Sequence, residues 1–143
     1  MTLQDILRVK GTEVYSTVPT ATLAQVVQLL VEHNCGSLVV LAEESSRRMV
    51  GIITERDILR VCATGKSLDQ LRVDTVMTTD VITGRMDDSV ADIMGLMTEN
   101  RIRHLPLLEK GELMGIISIG DVVKAQHNQL SAENHYLKNY IHG

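Results

Sequence analysis

Aromatic residues are almost missing from this sequence, which has no tryptophan, no phenylalanine and only three tyrosines in 143 residues. Proteins that bind single-stranded nucleic acids stack successive bases on aromatic side chains, so the composition argues against that class of function. The core must instead be built from valine, isoleucine, leucine and methionine. Most of the seven methionines are therefore expected to fill the core.

Cysteine is equally scarce. Cys35 and Cys62 stand in unrelated contexts, without a Cys-x-x-Cys or Cys/His spacing, so neither a disulfide framework nor a zinc site is predicted. His33 and His104 do not complete a metal-ligand set with Cys35. The longest apolar stretch, residues 26–41, is interrupted by polar residues, and no export leader opens the sequence, so no membrane segment is expected. These absences favour a cytoplasmic protein with reduced thiols.

The charge pattern excludes two further classes. The net charge is −4 and the basic residues are dispersed apart from Arg47-Arg48 and Arg101/Arg103, so the sequence shows no footprint for duplex DNA. No Ser/His/Asp or Cys/His set is placed for nucleophilic catalysis, and the protein is predicted not to be an enzyme.

The sequence does contain one heptapeptide twice. Gly51-Ile-Ile-Thr-Glu-Arg-Asp57 returns 64 residues later as Gly115-Ile-Ile-Ser-Ile-Gly-Asp121. Each copy reads as a short strand that runs into a helix, with the hydroxyl residue as N-cap and the aspartate in the first turn. A helix N-terminus attracts anions, phosphate in particular. The alternative is that each aspartate only completes a capping box, but the repetition of the whole frame favours a binding site.

The order of elements is also predicted twice, as helix, strand, helix, strand, strand, helix. In the first copy these are a helix over 2–9 with Leu3, Ile6, Leu7 and Val9 on one face, strands over 14–18, 37–41 and 49–54, and helices over 22–32 and from Asp57 to near Gly65. An offset of 67 residues aligns the front of the second copy and predicts its own leading helix over 67–77. Sheets this small do not stand alone, so an α/β fold in which both copies share one core is predicted.

We accordingly divide the chain into a first repeat over 1–66, a second over 67–127 and a helical extension over 128–143. In the last segment Val123, Leu130 and Leu137 are spaced by seven residues, but the positions between them are polar. This pattern predicts a weakly amphipathic helix and not a regular coiled coil. It is expected to pack on the second repeat, with docking on a second subunit as the alternative.

Two repeats of about sixty residues, each with a Gly-Ile-Ile-[Thr/Ser]-x-x-Asp junction, resemble a CBS domain pair, or Bateman module. The second repeat matches the family more closely, through Val76-Met77-Thr78, Val81-Ile82-Thr83, Asp88-Ser89-Val90 and Arg101-Ile-Arg-His-Leu-Pro106. The resemblance implies two βαββα units related by a pseudo-twofold axis, with a cleft for an adenosine nucleotide on each side. It also implies a homodimer, for which the apolar stripes near 23–31 and 90–97 are the expected surfaces.

The resemblance assigns residues to each cleft. The first cleft would use Thr54, Arg56 and Asp57 with Met77, Val81, Ile82, Arg103 and His104. The second would use Ser118 and Asp121 with Lys10, Val14, Tyr15, Gly36 and Ser37. The aspartates would accept both ribose hydroxyls, the N-cap hydroxyls would lie beside phosphate, and the strand backbone at 14–15 and 81–82 would read the adenine edge.

The two clefts are not equivalent in sequence. The first repeat has Cys35-Gly36-Ser37 where the second has Ile102-Arg103-His104, and Gly120 replaces Arg56, so cationic contacts are supplied unevenly. Single occupancy, or two sites of unequal affinity, is therefore expected.

The expected function is a regulatory sensor of an adenosine ligand that acts on an unidentified partner protein in trans, because no effector domain accompanies the repeats. AMP is the favoured ligand, and ADP, ATP, NAD(H) and S-adenosylmethionine share its adenosine half. A nucleotide-processing enzyme that uses the same cleft and a dimerisation module with degenerate clefts are the alternatives.

Overall fold

The computed structural model describes the backbone of residues 1–142 and the side chains of residues 1–139; Gly143 and the side chains of Tyr140 and Ile141, in the predicted extension, lie outside the described residues. The elements in chain order are helix α1 (Leu3–Lys10), strand β1 (Ser16–Thr17), helix α2 (Leu23–His33), strands β2 (Ser37–Leu41) and β3 (Met49–Thr54), helix α3 (Glu55–Ala63), a 3₁₀ helix (Val73–Thr75), helix α4 (Val90–Asn100), strands β4 (His104–Glu109) and β5 (Glu112–Ser118), and helix α5 (Ile119–His142).

The strands form two small sheets. In the first, β1 pairs with β2 in parallel and β2 pairs with β3 antiparallel; in the second, β4 pairs antiparallel with β5. A small cluster around Val39, Leu41 and Leu113 joins β2 to β5, so the sheets meet across the two repeats. The prediction that neither copy stands alone agrees with this shared core. No helix within residues 1–142 is long and apolar enough to cross a membrane.

The leading segment of each repeat packs on the other repeat. Leu3, Ile6 and Leu7 of α1 lie in a core cluster with residues of α4, β4, β5 and α5. The 3₁₀ helix does the reverse, because Val73 is buried with residues of α2, β2, β3 and α3. This exchange ties the repeats together through their leading segments as well as through their sheets.

Glycine at the start of each repeated heptapeptide allows this crossed packing. A Cβ on Gly51 would lie 2.8 Å from the Met77 Sδ and 2.8 Å from the Thr78 carbonyl oxygen. A Cβ on Gly115 would lie 2.9 Å from the Leu7 Cδ2. Both distances are shorter than a real contact, so each heptapeptide begins with the residue that leaves room for the partner repeat.

The leading helix predicted over 67–77 is wrong, since only the 3₁₀ turn at 73–75 forms. The carbonyls of Leu68 and Leu71 accept hydrogen bonds from the backbone N–H groups of Ala24 and Leu23, at 3.2 and 3.0 Å. Those carbonyls are therefore committed to the start of α2 and are not free to close helical turns of their own. Tertiary pairing here overrides the apolar spacing.

The offset of 67 residues also fails for these leading segments. The Leu3 N–H donates to the Asp88 carbonyl at 3.0 Å, and the corresponding bond in the other repeat runs from the Val73 N–H to the Ala21 carbonyl at 2.8 Å. Asp88 follows Ala21 by 67 residues, but Val73 follows Leu3 by 70. The structural counterparts of Ile6 and Leu7 are therefore Val76 and Met77.

Residues 81–83 do not form the expected strand. In the first repeat the Val39 N–H donates to the Tyr15 carbonyl at 3.3 Å, next to the pairing of β1 with β2. The counterpart of Val39 is Pro106, which has no N–H to donate. A single bridge between Gly84 and Leu107 is all that forms. The expected strand over 14–18 is likewise shorter, limited to Ser16–Thr17.

The apolar stripes of α2 and α4, expected to form a dimer surface, mostly face the core. Leu23, Val26 and Leu30 of α2 are buried, as are Val90, Ile93 and Met97 of α4. Two residues assigned to buried helix faces are exposed instead, Val9 by 89% and Val31 by 76%.

The C-terminal extension is continuous with α5 and does not pack on the second repeat as expected. Val122 is fully buried, but every residue from His127 to Asn139 is exposed. The helix therefore projects from the body after its second turn.

Candidate functional site

A cleft of about 280 Å³ lies between the repeats, at the N-terminus of α3. It brings together most of the residues assigned to the first cleft, namely Thr54, Arg56, Asp57, Val81, Ile82, Arg103 and His104. Met77 is not among the lining residues because its side chain packs against Gly51. Gly36, assigned to the second cleft, lines this one.

Four arginines line this cleft: Arg56 and Arg60 on α3, and Arg101 and Arg103 before β4. Within the described residues none of these guanidinium groups forms an ion pair. Three carboxylates, those of Glu55, Asp57 and Asp80, share the cleft, so its lining carries an excess of one positive charge. Unpaired guanidinium groups at a helix N-terminus form an environment suited to phosphate.

The Thr54–Asp57 pair forms the capping box that the sequence left as an alternative reading. Asp57 Oδ2 accepts from the Thr54 N–H at 2.9 Å and from the Thr54 hydroxyl at 3.2 Å. Both bonds use the same carboxylate oxygen, so Oδ1 makes no hydrogen bond to another described residue. The cap and a ligand therefore do not compete for the whole carboxylate, and one oxygen remains to accept ribose hydroxyls.

The chain segment that lines the opposite wall has free backbone groups. Because residues 81–83 do not join β4, the N–H and C=O groups of Asp80, Val81 and Ile82 have no backbone partner within the described residues. A planar heterocycle with a donor and an acceptor on one edge can hydrogen-bond to such a segment. The substitution that removes a strand in the second sheet, Pro106, thus leaves polar backbone beside the cleft.

The second set of residues is not gathered around one cavity. Lys10 and Asp121 line a space of about 490 Å³ between α1 and α5, but the other five residues of the set do not. Val14 packs in the cluster that joins the sheets, and the Tyr15 ring stacks on the ring of His33 at 3.8 Å. Ser37 is buried in β2.

Asp121 also has a partner that Asp57 lacks. The Lys10 Nζ donates to Asp121 Oδ2 at 2.6 Å and to the Ile116 carbonyl at 2.7 Å. The same carboxylate oxygen accepts from the Ser118 N–H at 2.9 Å, completing the second capping box. Burial by itself raises the pKa of the Asp121 carboxyl, but the Lys10 ammonium and the Ser118 bonds outweigh it and hold that pKa below 3.8. An internal counterion therefore occupies this carboxylate.

His104 lies where the two sets of residues meet. Its ring is close to Gly36, since a Cβ there would lie 3.4 Å from the His104 Cε1. Burial lowers the pKa of His104 below 6.5, and the positive charges of Lys10 and Arg103 lower it further, against the opposing effect of Glu55 and Asp121. The imidazole is therefore neutral at pH 7 and offers one donor and one acceptor.

Several lining residues were missed in the sequence. Arg60 follows Arg56 by one helical turn, so helical spacing alone could have placed both on one face. Arg101 reaches the cleft because it ends α4 in the left-handed region, at φ 53°, where the first repeat has Asn34 at φ 50°. Asp80 is the counterpart of Lys10 at the offset of 70 residues, a relation visible only in the structure.

The CBS domain family matches this chain twice, over residues 5–64 and 73–128. The mitochondrial CBS domain-containing protein CBSX3 of Arabidopsis thaliana is 35% identical over 149 residues, covering 99% of this chain and 72% of that protein. The solved CBS-domain protein ATU1752 from Agrobacterium tumefaciens superposes with a TM-score of 0.82 at 35% identity, over 88% of this chain and 99% of that one. The CBS domain protein PAE2072 from Pyrobaculum aerophilum, complexed with AMP, has a TM-score of 0.76 at 30% identity, over 85% of this chain and 89% of that one.

These matches confirm the α/β fold class and the tandem arrangement inferred from the repeated heptapeptide. The two repeats, their crossed leading segments and the cleft between them account for nearly the whole chain. The chain belongs to the CBS domain family, as a tandem pair of CBS domains.

Proposed function

We propose that this protein is a regulatory module that binds an adenosine-containing ligand in the first cleft. The carrying observation is the cleft at the N-terminus of α3, where Asp57 has a free carboxylate oxygen and four arginines are unpaired. The AMP complex of the related Pyrobaculum protein supports the ligand class. AMP remains the favoured ligand, with ADP, ATP, NAD(H) and S-adenosylmethionine as candidates that share the adenosine half.

Each part of such a ligand has a matching feature. Asp57 Oδ1 accepts from the ribose hydroxyls, and the unpaired backbone at Val81 and Ile82 receives the adenine edge. The phosphate lies near the Thr54 hydroxyl and the arginines. Keeping Arg101 in the left-handed region costs about 1–2 kcal/mol, and a guanidinium that serves a ligand offsets a backbone conformation better suited to asparagine.

The first cleft is proposed to be the preferred site. In the second set, the Lys10 ammonium already neutralises Asp121, and Gly120 supplies no cation where the first repeat has Arg56. A ligand there would have to displace an ion pair whose side chains are 30% and 25% exposed. The binding stoichiometry is therefore proposed to be one ligand per chain.

Occupancy of the first cleft would be transmitted through the relative placement of the repeats. The lining comes from α3 of the first repeat and from residues 78–82 and 101–104 of the second, so one ligand bridges both. A bridging ligand restricts motion between the repeats, which a partner protein in trans can sense. A homodimer in the cytoplasm is the proposed form, and the half-buried Cys35 and exposed Cys62, both free thiols, suit a reducing compartment.

Calorimetry on two matched variants tests this proposal. By ligand-efficiency reasoning, AMP should bind wild type at roughly 10 µM, while GMP binds far more weakly. Asp57→Asn keeps an oxygen for the Thr54 cap but removes the charge, and should weaken AMP binding roughly 10- to 150-fold. Asp121→Asn, whose carboxylate Lys10 occupies, is the control and should leave AMP affinity nearly unchanged.

Two outcomes would contradict the proposal. Equal AMP affinity in wild type and Asp57→Asn, with a lower melting temperature, would reduce Asp57 to a helix cap. Absence of a melting shift with every adenosine compound would remove the ligand class itself. Incubation with ATP or NAD followed by product analysis tests the prediction that the protein is not an enzyme, and mass spectrometry of co-purified small molecules would identify the natural ligand.

A further inference from the structure

The last part of α5 stands clear of the rest of the molecule. Helix α5 has 24 residues, and all of those from His127 to Asn139 are exposed. At 1.5 Å per residue this exposed part extends about 20 Å beyond the body. Helices of this length are only marginally stable in water unless an apolar face is buried, so the segment needs something to pack against.

One face of the projecting helix is apolar. Val123, Leu130 and Leu137 are 50%, 60% and 53% exposed and follow one another at seven-residue intervals, which places them on one seam. Val123 belongs to the part of α5 that lies on the body, so the seam continues from the body onto the projection. In heptad notation these three residues take position d, and His127 and Asn134 take position a.

We propose that this seam binds the same seam of a second copy of the chain, and that the two helices lie parallel as a short coiled coil. The interface is isologous, because each helix presents the same residues to the other. The partner is another copy because the seam and its flanking charges complement themselves, as follows from the positions of Glu133 and Lys138.

Glu133 falls at position g and Lys138 at the following position e. In a parallel pair, a g residue of one helix faces the e residue five positions further along the other, so Glu133 meets Lys138 of the second copy in both directions. An antiparallel pair would instead set Glu133 near Glu133 and Lys138 near Lys138. Residues five apart are not neighbours on one helix, and Glu133 Oε1 contacts only Gln129 Nε2, at 3.5 Å.

Asn134 at position a fixes the alignment. A buried asparagine pairs best with its own counterpart, which selects an in-register dimer at a cost in stability. With His127 also polar at position a, the coiled coil is weak and depends on concentration. This accounts for a pattern that looks too polar for a coiled coil in one chain and still becomes complementary when two chains meet.

Site-specific cross-linking tests the geometry. In a Cys62→Ser background, which removes the exposed native thiol, Asn134→Cys places one thiol on the seam and Ala132→Cys places one on the opposite face of the same helix. Mild oxidation should join two Asn134→Cys chains through identical residues and should leave Ala132→Cys chains largely uncoupled. Far-UV circular dichroism on both variants checks that the helix is retained.

Charge reversal tests the register independently. Glu133→Lys should raise the dimer dissociation constant in sedimentation by about fivefold, since it turns two attractive pairs into repulsive ones. Combining it with Lys138→Glu should restore the wild-type value. No covalent dimer at position 134, equal coupling at 132 and 134, or a double variant as weak as Glu133→Lys would each overturn the proposal and leave the seam to an unlike protein.

Discussion

Replacing Lys10 by methionine tests how the second aspartate is held. Methionine keeps an unbranched apolar stem but removes the ammonium that donates to Asp121 Oδ2 at 2.6 Å and to the Ile116 carbonyl at 2.7 Å. The change leaves a half-buried carboxylate without its counterion and a carbonyl without its side-chain donor. We therefore expect Lys10→Met to lower the free energy of unfolding.

The magnitude follows from the contacts. Hydrogen bonds to charged groups contribute about 1.5–3 kcal/mol when desolvated. The Lys10 and Asp121 side chains keep 30% and 25% of their surface exposed, so water replaces part of what is lost. We expect a loss of about 1–2 kcal/mol at pH 7, which corresponds to a fall of roughly 3–6 °C in melting temperature for a chain of this size.

Arg8→Met is the matched control, because it removes another cation from the same helix. The Arg8 guanidinium lies 3.6 Å from Asp5, and both side chains are well exposed, by 69% and 44%. An ion pair of this kind contributes little, so the control should lose less than about 0.5 kcal/mol. Urea unfolding of both variants and wild type measures the difference.

The effect of pH gives a second, independent check. The folded-state pKa of Asp121 lies below its ordinary value of 3.8, so the stability from this ion pair is present above that value and is lost as the pH falls through the folded-state pKa. The gap between wild type and Lys10→Met should therefore be constant from neutral pH to about pH 5 and should shrink below 3.8. Equal losses in Lys10→Met and Arg8→Met, or a gap that persists in acid, would refute this account of Asp121.

Three further predictions concern other parts of the molecule. Titration of Lys10→Met with AMP should reveal a second, weaker site, because Asp121 is then free; a stoichiometry that stays at one would separate the aspartate's availability from binding. Gly115→Ala should cost about 1–3 kcal/mol in urea unfolding, since its Cβ would lie 2.9 Å from the Leu7 Cδ2. Gly95→Ala, with nothing within 4 Å, should stabilise by about 0.5–1 kcal/mol, and equal effects at both glycines would count against the crossed packing. His104 has a folded-state pKa below 6.5, so wild type should lose stability as the pH falls from that value through the folded-state pKa; His104→Gln should remove this loss and His135→Gln, at an exposed position, should not.

Local pattern was enough to find the repeat, the main elements and most of the first cleft. The junctions at Thr54–Asp57 and Ser118–Asp121 carry their own instructions, because a cap residue and the carboxylate three positions later lie close in any helix that starts there. Strands β2 and β3 were placed at their observed bounds, since continuous apolar runs of that length have few other ways to be buried. The resemblance to CBS domains then brought Arg103 and His104 to Asp57, as the structure does.

Other features depended on contacts between distant residues, which no local pattern contains. The apolar spacing over 67–77 resembles a helix, but the carbonyls of Leu68 and Leu71 bind the start of α2 instead. The strand expected at 81–83 fails because its partner position holds Pro106, an absence of one donor that matters only once the pairing is known. In the second set, an ordinary lysine at the end of α1 reaches Asp121 from 111 positions away. The sequence by itself therefore determined the repeated units and their helix starts, whereas tertiary packing alone decided which leading segment lies on which repeat and which aspartate remains open to a ligand.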